Sequence, residues 1–229
     1  MYHNVTDNIM SSHGLTIFKD YLEEQFQFLE KNNYKSFHFS ELENLNQIPK
    51  KSIVITFDDV TLNQLDFAVP LLKKYNLKAT FFVPFSFIGK SDLWNDGKQK
   101  IMDIDALKSL EHLVELGLHS YSHKKFDALS ELEINLDFDN CNKIIIQNDL
   151  KVFNAIAYPF GNYPKKEPQK SDFFKILKNN NVKMGLKIGN KVNKFPFKSI
   201  YEISRIDVLG QDKLWKFKLK LIIGKLKLF

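Results

Sequence analysis

The sequence predicts an α/β protein of parallel βα units in one domain, closed as a barrel or open as a doubly wound sheet. Three observations predict it. Apolar runs of strand length alternate with helical patterns of about ten to eighteen residues. The polar residues of chemical interest follow strands, at 58–59, 119–123 and 158–161, as they do at the C-terminal mouth of a parallel barrel. No stretch rich in Pro, Gly or Ser divides the chain.

The elements follow in order. Phe18, Tyr21, Leu22, Phe26 and Leu29 stand three and four apart, which predicts an amphipathic helix over 15–33 with Thr16 as its cap. The β-branched run 51–57 reads as a buried strand ending in two acids. Residues 65–75 have a helical period, and Asn76 is their stop. Ala79 to Val83 reads as a second strand. The spacing predicts a helix over Asp103–Leu116, ended by Gly117. Another covers Ser130 to Gln147, opened by a Ser130–Glu133 capping box. Val152 to Tyr158 is a strand that runs into Pro159 and Gly161. Residues 171–180 form a short helix, and 182–187 and 200–205 are strands.

Composition excludes several classes. The chain has 229 residues, 21 of them Phe and 8 Tyr, enough apolar mass for a sizeable core and against disorder. Cys141 is the single cysteine, so no disulfide framework exists. No apolar stretch reaches the roughly 18–20 residues that span a bilayer. The opening MYHNVTDN lacks the basic and apolar regions of a signal peptide, so a cytoplasmic location is expected. The net charge is +6, and residues 213–229 hold six lysines and no acid, leaving 27 basic and 27 acidic side chains elsewhere. A neutral body argues against a nucleic-acid partner. Arg205 is the only arginine among 33 basic residues, and a planar fork does what lysine cannot at a bidentate site.

Asp58 and Asp59 are adjacent carboxylates at a strand end. They repel unless a cation or proton intervenes, and neighbours on a strand face opposite ways. One can therefore bind a metal while the other meets a different partner, or both can simply cap a helix. His119 and His123 stand four apart around Ser-Tyr-Ser, which is metal-ligand spacing. With Asp59 they make a three-ligand set that leaves a coordination position open, the arrangement of a catalytic zinc, with cobalt or nickel as alternatives.

These residues resemble the polysaccharide deacetylases with the NodB homology domain, carbohydrate esterase family 4. The family's T-F-D-D-G appears as Thr56-Phe57-Asp58-Asp59-Val60, its H-[ST]-x-x-H as His119-Ser120-Tyr121-Ser122-His123, and its F-A-Y-P-Y-G as Ile156-Ala157-Tyr158-Pro159-Phe160-Gly161. Met1 to Val5 and the run 70–83 are also similar to members. The resemblance covers about residues 1–208 and implies a single distorted (β/α) barrel, here of about seven parallel strands, followed by a basic amphipathic tail over 209–229. It implies a hydrolase that removes an N-acetyl group from an amino sugar with a divalent metal, most simply Zn2+. Asp59, His119 and His123 would be the ligands and Asp58 the general base. Tyr121, Tyr158, Pro159, Phe160 and Gly161 would line the substrate cleft, with the Phe160 backbone N–H in the oxyanion site. An N-acetylated polysaccharide or a lipid-linked precursor of the bacterial envelope is the expected partner.

The departures from the family pattern define further expectations. Val60 replaces a glycine. The third motif lacks an arginine that orients the base elsewhere, and Arg205 is expected to pair with Asp58 in its place. The late histidine acid is missing, and His3 is the candidate donor to the leaving amine. Trp94 suits stacking on a sugar or ordinary packing. Lysines interleaved with Trp215, Phe217 and leucines over 213–229 suit peripheral contact with the inner face of an anionic membrane, or equally a last barrel helix. An inactive glycan-binding relative, a deformylase acting on a lipid-linked amino sugar, and a metal-free domain with polar strand ends are the competing readings.

Overall fold

The computed structural model of the chain describes residues 1–110 and 112–224. Two short strands, β1 (Asn4–Thr6) and β2 (Thr16–Phe18), pair in parallel ahead of helix α1 (Lys19–Lys31). Strand β3 (Lys35–Ser36) leads into the one-turn helix α2 (Phe39–Leu42) and pairs with β4 (Ser52–Ile53). Next come β5 (Ile55–Asp58), a π-helical turn over Gln64–Ala68, α3 (Val69–Lys74) and β6 (Ala79–Val83). Then follow α4 (Ile104–Ser109), β7 (Val114–Leu118), α5 (Glu131–Gln147), β8 (Val152–Ala157) and α6 (Gln169–Asn179). The chain closes with β9 (Met184–Ile188), β10 (Ile203–Arg205) and α7 (Leu214–Ile223).

Strands β5 to β10 form one parallel six-stranded sheet in chain order. Its two edges are bridged by two residues. Tyr2 pairs with Phe57 of β5, donating its N–H to Thr56 O at 2.8 Å and accepting from Asp58 N at 3.0 Å. Met1 accepts from Val208 N at 3.0 Å, just beyond β10. The result is the expected distorted barrel. Its sheet is buried on both faces, as parallel sheets require: all five residues of the Ala79–Val83 run are buried, and Phe57, Phe81 and Phe82 are wholly inaccessible.

Several boundaries differ from expectation. Thr16 belongs to β2 and the first helix starts at Lys19, because Val5 and Ile17 pair and go into the core together. The helix expected over 103–116 ends at Ser109, and Val114–Leu118 is a strand between β6 and β8; Glu111 lies outside the described residues. Gly117 is therefore no helix stop. It sits inside β7, where a Cβ would lie 2.6 Å from Phe82 Cε1, so glycine is required for close packing there. Asp103 caps α4 by accepting from Ala106 N, and the Ser130–Glu133 capping box forms at α5 as expected. Asn76 takes φ 48° after α3.

The described part of the basic tail, 209–224, packs on the barrel. Phe217 of α7 meets Phe28 of α1 edge-on at 6.4 Å. Lys220 is buried and bonds Asp212 and, at 2.7 Å, Asp207 O. Trp215, Ile222 and Ile223 face outward, while the end of the tail, 225–229, lies outside the described residues. No helix among the described residues is long and apolar enough to cross a membrane.

Candidate active site

The C-terminal ends of β5, β7, β8 and β10 converge, as parallel strands of a barrel must. β5 delivers Asp58, and Asp59 follows it. The β7 end delivers His119, whose N–H donates to Val83 O at 2.9 Å. The turn after β8 carries Pro159–Gly161, and β10 ends on Arg205.

Asp59 Oδ1 lies 3.5 Å from His119 Nε2 and 3.3 Å from His123 Nε2. All three residues are buried. Ligand atoms around a tetrahedral ion with bonds of 2.0–2.1 Å stand about 3.4 Å apart; the two Asp59 distances match that, and the three ligand atoms together lie within 4.8 Å. Asp59 Oδ1 is buried with no hydrogen-bond partner, which a cation would satisfy. His119 Nδ1 lies 2.7 Å from Ala157 O. Donation there fixes the tautomer and turns the Nε2 lone pair toward Asp59, the usual outer support of a metal-binding imidazole. Burial lowers the His119 pKa to about 4, against the pull of Asp58, so the ring is neutral and able to ligate near pH 7. Among the described residues this is the one cluster of acids, histidines and cysteines close enough to hold a metal.

Asp58 sits beside this set, its Oδ2 4.0 Å from His119 Nε2. Arg205 donates from Nη1 to Oδ1 at 2.5 Å and from Nη2 to Oδ2 at 2.8 Å. Both side chains are buried. Burial opposes the charge on Asp58, but the Arg205 guanidinium outweighs it and holds the carboxyl well below the usual carboxylate range. His3 Nε2 stands 3.7 Å from Asp58 Oδ2. Gln64, fully buried in the π turn, donates to Asp58 O at 2.6 Å and His3 O at 2.9 Å. It ties the two backbones together.

Backbone strain collects around the cluster. Asp59, Val60, Ser120, His123 and Phe160 all have positive φ, at 76°, 44°, 63°, 52° and 58°. Each such residue costs about 1–2 kcal/mol. Val60 in that region is an outlier even by this standard, held by full burial and by its carbonyl accepting from Met102 N at 2.9 Å. The His119–His123 loop is braced by His123 N–H donating to Ser120 Oγ at 2.8 Å. Asp137 of α5 also braces it, accepting from Tyr121 N at 2.7 Å, Ser122 N at 3.0 Å and Ser122 Oγ at 2.8 Å. Burial pushes the Asp137 carboxyl above its ordinary pKa despite these donors.

The expected cleft residues divide. Phe160 is half exposed and meets His123 edge-on at 4.9 Å. Trp94 stacks on the His123 ring at 3.7 Å and 24°. Tyr121 is half-buried, Pro159 is buried, and Gly161 takes φ 66° against Ile188. Tyr158 is not a cleft residue. Its side chain is wholly buried against Phe126, Tyr163 and Phe173, and its hydroxyl donates to Tyr201 O at 2.9 Å. It alternates away from the mouth and packs under α6. Sequence reading missed Asp137 and Gln64. An acid between Ile134, Phe138 and Cys141 on a buried helix face was the signal for Asp137; Gln64 left none.

Strand-end acids and histidines thus gather at one mouth of a parallel barrel, close enough to hold a metal ion. The chain belongs to the polysaccharide deacetylase family, whose model matches residues 46–184. It is 27% identical over 200 residues to the poly-beta-1,6-N-acetyl-D-glucosamine N-deacetylase of Staphylococcus epidermidis, covering 80% of this chain and 65% of that protein. The Staphylococcus aureus protein of the same name is 26% identical, with 64% of it covered. The chain thus spans somewhat less than two thirds of these curated relatives. Among solved structures it resembles the Streptococcus pyogenes deacetylase PplD in complex with acetate, at TM-score 0.77 and 22% identity with 96% of each chain covered. It also resembles a de-N-acetylase from Aggregatibacter actinomycetemcomitans, at 0.77 and 19% with 96% and 97% covered. These two likenesses concern the fold.

Proposed function

We propose that the chain is a metal-dependent hydrolase that removes N-acetyl groups from an amino-sugar polymer, with poly-β-1,6-N-acetylglucosamine as the leading substrate. The observation that carries this reading is the buried Asp59–His119–His123 set beside an ionised Asp58. The named relatives support the substrate. Asp59, His119 and His123 would hold the ion. When bound, a divalent metal supplies Lewis acidity, polarising the amide carbonyl and making water acidic near neutral pH.

The rest is assigned to this chain's own groups. Asp58 takes the proton of the attacking water at its carboxylate, and Arg205 fixes that carboxylate in rotamer and charge. The Phe160 N–H donates to the carbonyl oxygen as it gains charge. His3, 3.7 Å from Asp58, gives a proton to the departing amine. A His3→Ala variant with full turnover would remove it from this role. Trp94 and Phe160, both against His123, offer apolar faces to a sugar ring.

The test pairs metal content with product. Purified protein should carry near-stoichiometric zinc or a similar ion, lost in Asp59→Asn and His119→Ala, and should release acetate and free amine from β-1,6-linked N-acetylglucosamine oligomers. No metal even after reconstitution sinks the mechanism. Metal without turnover on these oligomers sinks the substrate, and formate as the product would favour the deformylase reading.

A further inference from the structure

We propose that Asp137 is a positioning residue that holds the His119–His123 loop in its ligating conformation; the assignment rests on the metal reading of the site. Asp137 stands on α5, outside the three sequence motifs, yet its side chain accepts three hydrogen bonds from the loop between the two histidines. It is 4% exposed, and the charge of Lys124 acts on it more weakly than its hydrogen bonds do. A buried carboxylate is costly unless hydrogen bonds satisfy it. Here two backbone N–H groups and one hydroxyl do so, all from Tyr121 and Ser122.

The loop needs that acceptor. Ser120 and His123 both hold positive φ, conformations that persist only where the surroundings over-determine them. The reversal at Ser120 turns the Tyr121 and Ser122 N–H groups inward, away from any strand partner. From the opposite side, Phe85 N donates to Ser120 O at 3.1 Å and Ser86 N to Tyr121 O at 2.9 Å. The loop is thus held at its carbonyls by the segment after β6 and at its N–H groups by Asp137. Releasing the second grip lets Ser120 and His123 relax toward negative φ, which carries the His123 imidazole away from Asp59.

Asp137→Asn keeps the shape but presents an N–H where Ser122 offers another donor, so one of the paired contacts is lost. The readout is zinc affinity of the full chain, measured by competition with a chromophoric chelator. Removing outer support of a metal ligand typically weakens binding about 10–100-fold, and that loss is expected for Asp137→Asn. Ile134→Ala, on the same buried face of α5, serves as a control of similar helix damage and should stay within about threefold of wild type. If Asp137→Asn does not fold, Asp137→Ser retains one acceptor and takes its place. Unchanged affinity in the Asp137 variant overturns the proposal, as does equal weakening in Ile134→Ala. Wild-type protein that binds no zinc overturns the metal reading itself, a distinguishable failure.

Discussion

Arg205→Lys is the sharpest test of how the base is held. Wild-type Arg205 gives Asp58 two charge-assisted hydrogen bonds, at 2.5 and 2.8 Å. Its guanidinium also lies 5.4 Å over the Phe82 ring. Lysine keeps the charge and one bond but cannot span both oxygens. Losing one such bond costs about 1.5–3 kcal/mol. If the bond matters equally in the transition state, kcat/KM should fall about 10- to 150-fold. The assay is amine release from β-1,6-linked N-acetylglucosamine oligomers, with urea unfolding run beside it so that folded fraction is known. The loss should fall on kcat, since Asp58 is not proposed to bind the sugar. Arg205→Met should go further: burial of Asp58 is then unopposed by the guanidinium, its pKa rises, and the acid limb of kcat/KM moves to higher pH. The sign for stability follows. A depressed carboxylate pKa stabilises the fold above its unfolded value of about 4 and loses that contribution as pH falls through the folded pKa. An Arg205→Lys enzyme within about threefold of wild type, less than 1 kcal/mol, would refute the bidentate argument.

Two further outcomes follow from the geometry. The buried His119 ring has a pKa lowered to about 4, so the unfolded chain binds its proton more tightly and acid favours unfolding. Metal-free protein should lose about 1.6 kcal/mol between pH 6.5 and 5 from this group, read by urea unfolding, and His119→Gln should flatten that slope; an equal slope in both would remove His119 as its source. Gly117→Ala places a methyl 2.6 Å from Phe82 Cε1 and 3.1 Å from Ala155 O. Overpacking of this kind costs about 1–3 kcal/mol, and because Phe82 lies under Arg205, activity should fall with stability. Unaltered thermal unfolding would show that the ring moves aside freely.

Much of the site could be read in the sequence because its parts are local. Asp58–Asp59, the four-residue histidine spacing and the turn at Pro159–Gly161 each sit on a single strand end. The Arg205–Asp58 pair spans most of the chain but was signalled by composition, since a lone arginine among lysines stands out. What stayed hidden depended on tertiary context. The helical period of 103–116 hid β7, because a short apolar strand and a helix segment share the same residues. Tyr158 looked like a cleft residue by adjacency, but strand alternation sends its ring into the core. Gln64 has no sequence signature, as its role exists only where His3 and Asp58 run side by side.

The strap that joins the sheet edges has a consequence for folding order. Strands β5 to β10 are neighbours in sequence as well as in space, so the sheet can grow by successive short-range pairings. Met1 and Tyr2 meet β5 and the Ile206–Val208 segment only across loops of about fifty and two hundred residues. Contacts of such separation form slowly, since the closure entropy precedes the reward. His3 follows immediately, and Gln64 ties it to Asp58. A chain still unzipped at this seam would have its histidine loop and its sheet yet lack a finished catalytic mouth. Recovery of turnover during refolding should therefore lag the return of helical circular dichroism, making activity a gauge of the last step in assembly.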